Sequence, residues 1–380
     1  ALRFNNALSN EGRVTGNERC LYLHSLLVTR YSLPKREKIM PQKFLVAGEW
    51  RSSDDVLDVH FSYDGSLADS IYMASDRDLE DAIAAAERGF AVSRRLPSHK
   101  RTEILQNLNR LMRANFDKFV ELMILEGGKN RKTAVAETTR ALQTIAVSAE
   151  EAHRIGGEVF SVDWTPAGEN RQGFTKRMPI GTILCITPFN YPLNLACHKI
   201  GPAIATGNAF ILKPAEKTPL SSVLLAELIL EAGYPPEAFS MVNCWGAQAG
   251  EMVKDDRIAM ISFTGSASVG WQIKANARRK KVVLELGGNA GFIVHDDADM
   301  ALAVREAASG GERLRRLLPV WLLAVLDRHD CLGQRLGVVR KIVAVGIEGG
   351  DRVLLGEAQD QRTASPRIER PRRQQRPRFL

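Results

Sequence analysis

The sequence predicts an α/β fold, a parallel sheet with helices on both faces, and three observations carry that prediction. From residue 179 onward, short apolar runs alternate with helical stretches in the order strand, turn, helix, until five strands have been laid down. The runs are continuous, as in GTILCIT at 181–187, which is the pattern of strands covered on both sides rather than of half-exposed ones. The connections are short, so each helix has to pack back on the sheet that it leaves. Composition agrees. Of 380 residues, 44% are hydrophobic and 25% charged, which excludes disordered, collagenous and fibrous classes. No apolar run reaches the ~18–20 residues needed to span a bilayer, so no membrane partner is expected and a cytoplasmic location is the default.

Taken in order, residues 1–39 show no sustained period and read as an N-terminal extension, with Met40 a candidate internal start. One domain is expected over 40–285, with the start of a second over 286–311. Short β-rich segments at 44–47, 56–63 and 70–74 precede three helices at 77–96, 98–126 and 132–155. Leu79, Ile83, Ala86 and Phe90 recur at helical spacing in the first, and Ile104, Leu108, Leu111, Phe119 and Leu122 in the second. Gly127-Gly128 supplies a stop. These three helices form an N-terminal helical layer. The sheet strands follow at 181–187, 209–213, 239–243, 259–263 and 282–285, with helices at 191–206, 219–232, 248–254 and 267–277 between them. Ligands in such sheets bind at the carboxyl ends of the strands.

The first strand runs into Pro188-Phe189-Asn190-Tyr191-Pro192. An amide fixed between prolines suits a donor for developing negative charge, or else a turn asparagine bonded to its own backbone. The second strand ends at Lys213, three residues before Glu216. That pair can hydrogen-bond sugar hydroxyls, or simply be a solvated ion pair ahead of a helix. The fourth strand ends in FTGSASVG at 263–270, where Gly265 allows close backbone approach and a helix N-terminus favours a phosphate. An ordinary helix capped by Ser266 is the other reading. The fifth strand ends at Glu285, ahead of Gly287 and Gly288. A carboxylate on an apolar strand is expected to be buried with a raised pKa, which suits a general base; a glutamate bonded to loop amides is the alternative.

The order and spacing of PFNYPL at 188–193, LKPAEKTPLSS at 212–222, FTGSASVG at 263–270 and LELGGNAGFIV at 284–294 resemble the NAD(P)-dependent aldehyde dehydrogenase superfamily from about residue 43 to 311. The resemblance implies a Rossmann-like cofactor domain and an aldehyde substrate oxidised to its acid, with Asn190 in the oxyanion hole and Glu285 as general base. It implies cofactor contacts from Thr187, Pro188, Phe189, Lys213, Glu216, Gly246, Gly250, Gly265, Ser266, Gly270, Leu286 and Gly287. NAD is the expected cofactor, with NADP the alternative, because the Glu216 carboxylate repels a 2′-phosphate. The run at 187–208 looks most like the branch acting on lactaldehyde or glyceraldehyde 3-phosphate. The family also implies a homo-oligomer.

The resemblance stops after Gly311. Family members place a cysteine nucleophile about 34 positions after the glutamate, where this chain has Pro319. Residues 312–380 carry 14 Arg and one Lys against eight acids, so nearly all of the net charge of +8 sits there. Arg outnumbers Lys only 22 to 15 before that point, and so abrupt a change suggests a shifted reading frame and a catalytic domain truncated or replaced. The tail lacks interleaved aromatics, so a solvated terminus is expected and no nucleic-acid partner. Five cysteines, at 20, 185, 197, 244 and 331, include no C-x-x-C pair, so neither a disulfide framework nor a metal site is expected. Cys331 is the downstream thiol left over. A chain that binds NAD without turnover is therefore the competing reading.

Overall fold

The computed structural model describes residues 40–288, 292–295 and 297–306, and the backbone of strands at 321–326, 341–346 and 354–357. The expected extension at 1–39, Pro319 and Cys331 lie outside the described residues. The chain divides into two compact units, one ending at Gly287 and the other beginning at Gly288.

The first unit opens with β1 (Phe44–Val46) and β2 (Glu49–Arg51), a tight antiparallel hairpin turned through Ala47 and Gly48. Strands β3 (Val56–His60) and β4 (Leu67–Tyr72) pair only with each other among the named strands. Helix α1 (Asp76–Ser93) begins at Ser75, whose hydroxyl accepts from the Asp78 amide while the Asp78 carboxylate accepts from the Ser75 amide. The single helix expected over 98–126 is instead two, α2 (Ser98–Ala114) and α3 (Phe116–Gly127). The break is at Asn115, whose backbone leaves helical geometry at φ −104° and ψ 20° while its amide and its side chain both donate to the Leu111 carbonyl at 3.0 Å. Gly128, at φ +59°, closes α3 at the glycine pair expected to stop it. Helix α4 (Arg131–Arg154) follows, capped by Asn130.

A hairpin of β5 (Val159–Ser161) and β6 (Gln172–Phe174), which periodicity does not announce, then leads into the parallel part. There β7 (Thr182–Ile186), α5 (Pro192–Thr206), β8 (Ala209–Lys213), α6 (Leu220–Glu231), β9 (Phe239–Met241), α7 (Gly246–Lys254), β10 (Ile258–Gly265), α8 (Ala267–Asn276) and β11 (Lys281–Leu286) alternate as predicted. Among the described residues the sheet has seven strands in the order β11-β10-β7-β8-β9-β1-β2. The five predicted strands are parallel, and β1 joins antiparallel at the β9 edge with Leu45 opposite Met241. Local pattern alone leaves 44–47 outside this sheet. Because Phe44, Leu45 and Val46 are all buried, β1 covers an edge that would otherwise expose its ladder. A ring cluster of Phe210, Tyr234 and Phe239 fills the core beside it, with the Tyr234 hydroxyl donating to the Asn208 carbonyl at 2.6 Å.

The second unit contains β12 (Phe292–His295), β13 (Trp321–Leu326), β14 (Lys341–Gly346) and β15 (Leu354–Glu357), one sheet in that order. Strand β13 lies parallel to β12, and the others pair antiparallel. A solvated terminus is expected over 312–380, yet WLLAVL, KIVAVG and LLGE form strands. Runs of apolar and β-branched residues favour a paired ladder over a hydrated chain.

Candidate active site

From β7 the chain steps through β8 to β9 on one side, then crosses back to β10 and β11 on the other, so the strand order reverses between β7 and β10. The crevice outside the carboxyl ends at such a reversal is where open α/β sheets take ligands. Register decides what lies there. Ile186 is opposite both Lys213 on β8 and Phe263 on β10, and one step further Thr264 is opposite Glu285 and Gly265 opposite Leu286. The loop carrying Asn190, the Lys213 ammonium, the turn at Gly265 and the Glu285 carboxylate therefore leave the sheet along one edge.

At the first strand end, the Thr187 amide donates to the Lys213 carbonyl at 3.1 Å. Its hydroxyl is buried with no hydrogen-bond partner among the described residues, a polar group available to a ligand. Pro188 is half-buried and Phe189 exposed, with the Lys217 ammonium 5.4 Å from the Phe189 ring centroid. The Asn190 Oδ1 accepts from the Tyr191 amide at 3.0 Å, as a turn asparagine does, and its NH₂ makes no hydrogen bond among the described residues. The turn reading of this residue is what the hydrogen bond realises, and it leaves the donor end of the amide over.

Lys213 and Glu216 are not a solvated pair. The Lys213 side chain is 5% exposed and its Nζ lies 2.6 Å from Glu216 Oε1. At α8, Ser266 is the N-cap and its hydroxyl accepts from the Val269 amide at 3.4 Å, so the ordinary-cap reading is realised. Gly246 and Gly250 on α7 have nothing within 4 Å of where a Cβ would stand, nor has Gly287. Open surface thus runs along the first turns of α7. At Gly270 a Cβ would meet Leu286 Cδ2 at 2.4 Å, so the missing side chain lets α8 pack on β11. Gly265 likewise leaves space for the Phe263 ring, whose nearest atom is 2.5 Å from where a Cβ would stand.

The expectation that Glu285 is buried is overturned. On the edge strand β11, Lys281, Val283 and Glu285 all face outward, and the apolar character of 282–286 comes from the alternate residues that pack inward. What holds Glu285 is the Thr264 hydroxyl, which donates to its Oε2 at 3.4 Å. That hydroxyl accepts from Lys199 Nζ at 2.9 Å, and Lys199 also donates to Ser262 Oγ at 3.1 Å. Burial pushes the Lys199 ammonium below the usual lysine range. Sequence reasoning misses Lys199 and Thr264. A lysine buried within the largely apolar helix α5 is the one signal present.

Two buried glutamates, also missed, stand behind the site. Glu137 on α4 accepts from the Leu193 and Asn194 amides at 3.0 and 3.1 Å, where α5 leaves the Asn190 loop, and it is paired with Lys129. The Lys129 ammonium lies 4.2 Å from the Tyr191 ring centroid. Glu126 on α3 does the same for α6, accepting from Leu220 and Ser221. No nucleophile emerges among the described residues. Cys185, Cys197 and Cys244 are buried thiols, and burial pushes Cys185 and Cys244 up to about 12 and Cys197 higher still, so none supplies a thiolate near neutral pH.

The chain is 40% identical over 259 residues to a 3-sulfolactaldehyde dehydrogenase of Priestia aryabhattai, covering 68% of this chain and 54% of that protein. It is 37% identical over 267 residues to a lactaldehyde dehydrogenase of Methanococcus maripaludis, covering 69% and 56%. The chain thus spans about half the length of the curated relatives it matches. Among solved structures, aldehyde dehydrogenase 21 from Physcomitrella patens, in complex with the reaction product succinate, superposes with a TM-score of 0.71 at 33% identity, covering 76% of this chain and 61% of that one. An NADP-dependent glyceraldehyde-3-phosphate dehydrogenase from Bacillus halodurans, complexed with NADP, gives 0.69 at 33% identity, covering 72% and 58%. Residues 50–313 match the aldehyde dehydrogenase family, and the chain belongs to that family.

Proposed function

We propose that the chain binds a nicotinamide adenine dinucleotide across the ends of β7, β8 and β10 and, with it, oxidises a small 2-hydroxyaldehyde to the carboxylic acid. The observation that carries this reading is the shared edge on which Asn190, Lys213, Gly265 and Glu285 leave the sheet. The residues suit the cofactor. Lys213 and Glu216 offer a donor and an acceptor to ribose hydroxyls, the N-terminus of α8 with Ser266 suits a pyrophosphate, and the open surface at Gly246 and Gly250 leaves room for adenine. NAD is favoured and NADP is the alternative, because Glu216 keeps a carboxylate where a 2′-phosphate would lie. When bound, the nicotinamide supplies the acceptor for the hydride leaving the aldehyde carbon. Asn190 donates its NH₂ to the aldehyde oxygen as negative charge develops there. Glu285, oriented by Thr264, takes a proton from the attacking water. The 2-hydroxyaldehyde class is supported by the relatives named for lactaldehyde and 3-sulfolactaldehyde.

One observation favours a second reading, binding without turnover. The described cysteines are buried and protonated, and the position at which the family carries its nucleophile is Pro319. Purified chain of verified mass, mixed with NAD and lactaldehyde or glyceraldehyde 3-phosphate, separates the two by absorbance of the reduced cofactor. Turnover abolished by Glu285→Gln with NAD binding intact is the expected result of the first. Binding with no turnover selects the second, and failure to bind either dinucleotide removes both.

A further inference from the structure

Residues 214–219 connect Lys213, at the end of β8, to helix α6, and their far end is held by a group from outside the sheet. Helix α6 starts without a side-chain cap of its own, since its N-cap residue is Pro219. Its first amides are met by Glu126, 2% exposed, in the last turn of α3. Oε2 accepts from the Leu220 amide at 2.6 Å and Oε1 from the Ser221 amide at 3.2 Å, two of the donors that a first turn leaves without an intrahelical partner. A local serine, threonine or aspartate caps a helix without burying a remote charge, so a carboxylate brought 94 residues along the chain is a costly solution to capping alone. The same segment is tied a second time where the Thr218 hydroxyl donates to the Phe189 carbonyl at 3.4 Å, which joins it to the Asn190 loop. At its near end, the Lys213 ammonium holds Glu216 at 2.6 Å. The segment is therefore fixed at both ends, and the Lys213–Glu216 pair is presented from between them.

We propose that Glu126 is a positioning residue: by pinning the start of α6 it holds residues 213–218 in the form that receives the adenosine ribose. This rests on the reading of Lys213 and Glu216 given above. It goes beyond that reading by making ribose affinity depend on a side chain that touches no ligand. Glutamine in its place keeps the length and one acceptor but turns an NH₂ toward the second amide. The loss falls on the segment, not on the core.

The test uses the full chain at pH 8 with AMP, which carries the ribose and adenine but no nicotinamide, and compares wild type with Glu126→Gln. The expected result is a cooperative melt in both, a Kd for AMP about tenfold higher in the variant, and faster amide exchange confined to residues 213–221. Unchanged affinity together with unchanged exchange would overturn the proposal, leaving Glu126 a purely structural cap. Exchange faster throughout the sheet would overturn it as well. If wild type does not bind AMP, the ribose reading fails by itself, and the exchange measurement still decides whether Glu126 holds the segment. Should the glutamine variant not fold, Glu126→Asp, which keeps the charge but is one methylene short, takes its place with the same expectations.

Discussion

Glu137→Ala is expected to lower the unfolding free energy by about 3–5 kcal/mol, the cost of breaking a buried ion pair by removing one partner. The side chains of Lys129 and Glu137 are 5% and 0% exposed, so neither is stabilised by water once the other is gone. The loss has two parts. The ammonium keeps the Tyr191 ring 4.2 Å away but loses its carboxylate, and the Leu193 and Asn194 amides lose the acceptor that caps α5. Guanidinium denaturation read by far-UV circular dichroism measures the shift in midpoint. Removing both charges, in Lys129→Met with Glu137→Gln, is expected to recover a large part of the loss, because a neutral pair leaves no uncompensated buried charge. A single variant as stable as wild type would mean that the pair is solvated in solution.

The stability of the chain should also carry the signature of Glu126. Burial pushes this carboxyl up to about 7, against the opposing pull of the hydrogen bonds from Ser221 and Leu220. The folded protein then keeps a proton that the unfolded chain has released above pH ~4.5. Stability therefore falls as pH rises through the window from about 4.5 to about 7, by about 3 kcal/mol, and is level above it. Groups shifted the other way act in the opposite sense. Asp255, held below the usual carboxylate range by its hydrogen bond from Arg257, contributes stability that is lost as pH falls. The difference between wild type and Glu126→Gln, measured from pH 5 to 8, cancels such terms and is expected to change by about 3 kcal/mol across the window. A difference independent of pH would mean that Glu126 titrates like an exposed glutamate.

Much of the candidate site was legible because it sits where local signals are strongest. Apolar runs mark the five parallel strands, and the residues closing those strands lie together at the carboxyl ends, where such sheets take ligands. Asn190, Lys213 and Ser266 followed from position alone. The expected burial of Glu285 fails because its neighbours are apolar where they pack inward on alternate residues, while the glutamate itself faces out. Gly270 looks like part of a phosphate turn in sequence, but its missing side chain makes room for Leu286. The break of the second helix at Asn115 is invisible to periodicity, because the apolar spacing continues across it.

The sequence by itself determined the fold class and the direction of the sheet, since both depend on order and spacing along the chain, which strand and turn chemistry read directly; the family followed from the resemblance of its motifs. Only the tertiary structure decided which residues support the site. Lys199 reaches Thr264 across 65 positions, Glu126 reaches α6 across 94, and Glu137 reaches α5 across 56. None of these pairings has a period, because a buried charge is satisfied by whatever the fold brings within hydrogen-bond distance, and that distance exists only after the helices have packed against one another and the sheet.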